Sequence, residues 1–150
     1  MPKFHFRLAT LLRIGESVRD QRRTQLAEAF RADELLEQRQ GMVAQQLADA
    51  RDLCRKAATP GAVDLDRIVE TQRYELTLLA QQKQLAHQRK AVAGEIERRR
   101  EAVLAANREV RVLENLRDRQ HERFRQEEAR RDLREIDEVA SRTAGRGDDA

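Results

Sequence analysis

Three histidines, one cysteine and an abundance of carboxylates are the side chains of this sequence that could hold a metal or move a proton. His5, His87 and His121 stand far apart along the chain, and a pair of histidines without a third ligand makes a poor metal site. Cys54 is the only cysteine, which excludes an intramolecular disulfide and a multi-cysteine metal site. It reads as a small apolar residue of a helical seam in a reducing compartment. Adjacent carboxylates such as Asp137-Glu138 recur because the surface is charged, and nothing in the sequence buries them to shift their titration. A Gly-rich phosphate loop, a His-Glu-x-x-His pair and a nucleophile elbow are all missing. The expectation is a protein that is not an enzyme, with no catalytic residue, no metal and no cofactor.

The elements that would position these residues follow from composition and spacing. Charged residues make up 38% of the 150 positions, aromatics 3%, and there is no Trp. Leu, Ala, Val, Glu, Gln and Arg dominate, and aliphatic residues recur at 3-and-4 spacing, the pattern of a coiled coil rather than of a disordered chain. Basic residues number 30 against 27 acidic ones, for a net charge of +3. The two signs are mixed along the length, as on a solvated helical surface. The basic clusters Arg98-Arg99-Arg100 and Arg130-Arg131 are diluted by Glu95, Glu97 and Glu101 and by Glu127, Glu128 and Asp132. That mixture speaks against the basic stripe of a nucleic-acid binder.

One interior site reads as a break. Thr59-Pro60-Gly61 combines two strong helix punctuators, and Asp64 can cap a new helix. Before it, a heptad ladder runs through Leu8, Leu11, Gly15, Val18, Arg22, Gln25, Ala29, Ala32, Leu36, Arg39, Val43, Gln46, Ala50, Leu53 and Ala57. Leu12, Leu26, Leu35 and Leu47 widen that stripe. After the break, Leu65, Ile68, Leu79, Ala86, Ala93, Ile96, Val103, Val110 and Leu113 form a comparable one. Gly15, Gly41 and Gly94 lie inside the ladders at a cost of about 1 kcal/mol each relative to Ala.

The expected fold is all-α: a long two-stranded antiparallel coiled-coil hairpin with a longer second helix, forming a single coiled-coil domain over 1–150. Helix 1 is expected over about 6–58, the turn over 59–63, helix 2 over about 64–140, and a disordered tail over 143–150. The first helix would span roughly 80 Å. Reflection about Gly61 sets Ala50 near Gln72, Leu36 near Ala86, Leu8 near Glu114, and His5 within approach of His121. Two packed helices form a seam and leave no deep pocket for a small molecule.

Several ladder positions are polar: Arg22, Gln25, Arg39 and Gln46 on the first helix, Gln72, Gln82 and Arg89 on the second. Either their long side chains snorkel out of the seam, or the polar layers keep the rod adaptable and dependent on partners. No apolar run approaches the ~20 residues that span a bilayer, and Arg7, Arg13 and Glu16 interrupt any leader-like core. A soluble, cytoplasmic protein without direct membrane insertion is expected. The Arg146-Gly147-Asp148 tripeptide in a cytoplasmic tail reads as coincidence.

Two segments carry a family likeness. Val112–Gln120, VLENLRDRQ, followed by Leu133–Arg142, LREIDEVASR, resembles the C-terminal part of the FliJ family of flagellar export proteins. Phe6–Ile14, FRLATLLRI, is similar to that family's N-terminal start. The resemblance implies a non-enzymatic component of the flagellar type III protein export apparatus. By that resemblance the chain would act like the central stalk of a rotary ATPase. The terminal ends of its helices would enter the export ATPase hexamer. It would also contact the cytoplasmic domain of the membrane export gate, and assist export chaperones and substrates. This places it in the cytoplasm, peripherally associated with the cytoplasmic face of the inner membrane.

Carried over residue by residue, Leu113, Leu116, Arg119 and Gln120 match the first motif, and Asp137, Glu138 and Arg142 the second. Tyr74 and Leu78 fall where the family places its gate-binding aromatic and aliphatic residues. Each also has a plain reading as a seam or surface group. From about Leu116 onward the first helix is expected to be too short to cover Phe124, Ala129, Leu133, Ile136 and Val139. With Arg119, Arg123, Arg130 and Arg131 around them, these residues are the expected contact with the ATPase ring. A coiled-coil scaffold or adaptor without an export role, and a nucleic-acid-binding rod, are the alternatives.

Overall fold

The computed structural model describes residues 2–144, and these are all-α: α1 spans Ala9–Ala57 and α2 spans Leu65–Ala144. No strand occurs among the described residues, and the second helix, at 80 residues, far exceeds the 49 of the first. The expected tail, with its Arg-Gly-Asp tripeptide, lies outside the described residues from 145 onward. The chain divides into two compact units, Gln21–Leu104 and Met1–Asp20 with Ala105–Ala150.

In the unit Gln21–Leu104 the two helices form an antiparallel hairpin. Thr59 accepts the amide of Ala62 through its carbonyl at 3.4 Å, closing a turn around Pro60 and Gly61. Gly61 takes φ = 105°, a conformation that a side chain would strain, and the ring of Pro60, just before it, fixes that residue's own φ. The Asp64 carboxylate accepts the backbone N–H of Arg67 at 3.1 Å, an N-cap, and Arg55 and Lys56 stand in the last turn of α1, where the helix dipole favours cations.

The core of this unit is Val43, Leu47, Ala50 and Leu78, with Leu85 packed against it. Arg51 meets Glu75 at 2.8 Å, so partners near the turn lie further along α2 than reflection about Gly61 gives. The seven residues 58–64 take up the connection, and that length, not a single pivot, sets the register.

The seam differs from the expected ladder by one position in every second layer. Ala29, Val43, Ala50 and Ala57 are buried and Leu36 half-buried, as the ladder has them. The alternating layers are Leu26, Asp33, Gln40, Leu47 and Cys54, whereas Gln25, Arg39, Gln46 and Leu53 are exposed, as is Arg22. On α2, Leu78, Leu85 and Val92 face inward, and Leu79, Ala86 and Ala93 do not; Leu65 and Gln72 are exposed as well. The apolar stripe of α1 is three rows wide, and its spacing alone leaves open which of two adjacent rows faces the partner. Most of the expected polar seam residues therefore sit in solvent, while Gln82 and Arg89 remain half-buried.

In the unit Met1–Asp20 with Ala105–Ala150, Phe6, Leu12 and Val110 form the buried cluster, with Phe4, Ala9, Leu113 and Leu116 against it. Phe6 precedes α1 and is 7% exposed. The chain turns there, with Ala9 donating its amide to the Phe6 carbonyl at 3.1 Å, which starts α1 at Ala9 rather than at position 6. At Gly15 a Cβ would meet Val110 Cγ2 at 3.4 Å, so the missing side chain lets the two helices approach closely.

Candidate functional site

The expected contact residues on α2 fall into two environments. Leu113 and Leu116 are half-buried against the Phe6, Leu12 and Val110 cluster, and Gln120 is half-buried one turn further on. Arg119 points into solvent. The Phe124 ring lies 5.8 Å from that of Phe4, which also meets His121 edge-on at 5.0 Å. It is Phe4, not His5, whose ring contacts His121 in this way. The non-helical residues before α1 thus act as a strap along α2. Cover on α2 extends to Phe124, and the expectation that Leu116 and Phe124 lie open is corrected.

Beyond the strap no other described residue covers the helix. From Ala129 to Ala144 every residue is exposed, with Leu133 at 62%, Ile136 at 64% and Val139 at 60%. Asp132, Glu135, Ile136, Val139 and Ala140 line one shallow face. Asp137, Glu138 and Arg142 are exposed, and Glu138 and Arg142, one turn apart, form an ion pair at 3.8 Å. Beside the Phe6 cluster, an open groove of roughly 380 Å³ runs between Leu11, Ile14, Gly15 and Val18 on one helix and Glu109, Val112 and Leu113 on the other. Sequence reasoning missed both the strap and the groove. The Phe-x-Phe start, two aromatics in an aromatic-poor chain, was the available signal for the strap.

In the other unit, Tyr74 and Leu78 part company. Tyr74 is 48% exposed, while Leu78 is 2% exposed in the core with Val43, Leu47 and Ala50, so it packs the seam and presents no side chain to solvent.

The charges of this unit are largely spent within the chain. Arg89 reaches Asp33 at 2.9 Å, Glu37 at 3.3 Å and Gln40 at 3.1 Å. Its hydrogen bonds to Asp33 raise its already high titration further, so this half-buried layer carries a permanent positive charge held by carboxylates. Arg98 and Arg99 both bond to Glu95, and hold its carboxyl below the ordinary glutamate range. Arg99 also donates to the carbonyl of Gln25, and Arg100 pairs with Glu97 at 3.1 Å and stacks over Phe30 at 5.4 Å. The Arg98-Arg99-Arg100 cluster is therefore engaged by its own neighbours and is not a free basic patch.

Among the described residues, no group of three or more His, Cys, Asp and Glu side chains could hold a metal ion. What the geometry offers instead is helical surface: one stretch sealed by a strap, one stretch open. A family model described as the flagellar FliJ protein matches residues 4–148, nearly the whole chain. No curated protein and no solved structure matches it. With the all-α hairpin architecture and a family match over nearly the whole chain, the chain belongs to the FliJ family and is a component of the flagellar protein export apparatus.

Proposed function

We propose that this protein is a non-enzymatic stalk that binds the export ATPase hexamer through the C-terminal part of α2 and links it to the export gate. The observation that supports this reading most directly is the exposed apolar row Leu133, Ile136 and Val139, on a helix whose other residues there are mostly charged. Apolar side chains left open in this way on a charged helix mark a binding surface. Arg119 and Arg142 supply forked donors for carboxylates of a ring subunit, and Asp137 and Glu138 supply acceptors. Leu113, Leu116, Gln120 and Phe124 act from beneath, by holding the strap and fixing where the open face begins.

Tyr74 is the residue assigned to the cytoplasmic domain of the gate, with Leu78 supporting it from the seam. Handling of export chaperones and substrates belongs to the same reading. The protein works at the cytoplasmic face of the inner membrane, held there by the apparatus; among the described residues no helix is long and apolar enough to cross a membrane.

The test is the double substitution Ile136→Glu with Val139→Glu, assayed by pull-down of the export ATPase and by its ATP hydrolysis rate. Both positions are exposed, so circular dichroism is expected to show unchanged helicity. Binding is expected to fall at least about tenfold, as for a central interface anchor. Wild-type binding and stimulation with helicity retained would remove the main support for the stalk reading.

A further inference from the structure

The open stretch of α2 is self-complementary, and we propose that it pairs with the same stretch of a second copy of this chain as a short antiparallel coiled coil. Ala129, Leu133, Ile136, Ala140 and Thr143 recur at alternating spacings of four and three, the seam of a two-stranded coil. All of them are exposed, and nothing among the described residues covers them. Asp132 and Val139 flank this seam on one side, Arg130 and Asp137 on the other.

The flanking charges choose both the occupant and its direction. When two such helices run antiparallel with Leu133 opposite Ile136, Arg130 of each copy faces Asp137 of the other, once on either side of the two-fold axis. When they run parallel, the flanking rows bring Asp132 of one copy against Asp137 of the other, a like-charge contact. Neither Arg130 nor Asp137 has an ion pair among the described residues. The same holds for Arg131, Asp132, Arg134 and Glu135, while Glu122 pairs with Arg125 and Glu138 with Arg142 within the helix, and the Asp137 backbone carbonyl accepts the Ser141 hydroxyl. The apolar row, with Arg130 and Asp137 as opposite charges on one flank of it, thus fits a second copy in one orientation.

This pairing does not rest on the stalk reading, since it is measured on the chain alone. It uses the face assigned there to the ATPase ring, so self-pairing and ring binding compete where both operate.

The experiment is sedimentation equilibrium of the full chain over a rising concentration series, with helicity checked for each variant. Wild type is expected to move from monomer toward dimer, and Ile136→Glu to remain monomeric. Asp137→Arg is expected to weaken the dimer by on the order of tenfold, because two attracting surface pairs become repelling ones. The double variant Arg130→Asp with Asp137→Arg exchanges the charges and is expected to restore it. A wild-type chain that stays monomeric throughout overturns the proposal, as does a dimer that Ile136→Glu leaves intact. Tighter dimerisation by Asp137→Arg overturns the antiparallel orientation, since only the parallel arrangement gains by relief of the contact with Asp132. A double variant no stronger than Asp137→Arg alone overturns the role given to the charge pair.

Discussion

The same helix lives in two conditions. At Leu78 and at Val110, α2 buries its apolar residues to 2% exposure; at Leu133 and Ile136 the same kind of residue, at the same helical spacing, stands 62% and 64% exposed. Mixed charges and 3-and-4 spacing run through all of these stretches. Only the opposite surface differs. An apolar row on a helix is an offer of free energy, roughly 25 cal/mol per Å² of apolar surface removed from water, and another element must be present to realise it. Paired stretches therefore hold the fold, and the open stretch is where a partner can still add stability.

The sharpest way to break this comparison is to truncate one residue of each kind. Leu78→Ala is expected to cost about 2–5 kcal/mol in urea unfolding, from lost burial and the cavity left behind. Ile136→Ala, at an exposed position of the lone chain, is expected to stay within about 0.5 kcal/mol. Equal losses at the two sites would mean that the open stretch is covered in solution.

Two glycines separate the demands of the turn from those of the helix. Gly61→Ala forces a side chain into positive φ and is expected to destabilise by about 1–2 kcal/mol. At Gly41, a Cβ meets nothing within 4 Å, so Gly41→Ala is expected to stabilise by up to about 1 kcal/mol through helix propensity alone. Thermal and urea unfolding read both, and their opposite signs are the point of the pair.

The strap marks where the paired part of α2 ends. Phe4→Ala removes the ring contacts to His121 and Phe124 and is expected to cost about 1 kcal/mol. Faster amide hydrogen exchange in the first turn of α1 is expected alongside. Unchanged exchange and stability would move the end of the paired region back to Phe6.

The smallest effect lies in the charge network of the paired stretch. Arg98 and Arg99 depress the Glu95 carboxyl below its unfolded value, so its contribution is present above the ordinary glutamate range and is lost as pH falls through the lower folded value. Between neutral pH and acid, wild type is expected to lose slightly more stability than Glu95→Gln, because the variant has no proton to gain there. Glu95 is partly exposed and its pairs are screened by solvent, so high salt is expected to shrink the difference. Parallel acid unfolding curves would assign the two arginines no net role.

Much of the architecture was legible because it rests on local rules. Pro60-Gly61 turns the chain, Asp64 caps α2, and low glycine and proline content keeps both helices unbroken. The family motifs, too, could be read directly, since they are strings of residue types at fixed spacing. The placement of the site residues was less legible. Leu78 reads as a surface contact when only its neighbour Tyr74 is considered, and Leu116 reads as open when only α1 is allowed to cover it.

By itself, then, the sequence determined that the chain is helical, where it reverses, that the second helix is the longer, and to which family it belongs. These follow from propensity, capping, spacing and residue strings, all of which act within a few neighbouring positions. Tertiary structure alone decided that Leu47 and not Gln46 enters the seam, that Arg89 is held by Asp33, and that Phe4 and Phe6 strap α2 as far as Phe124. The physical reason is common to all three. A stripe three rows wide can face a neighbour in more than one way, and the choice is made by the packing of residues dozens of positions away.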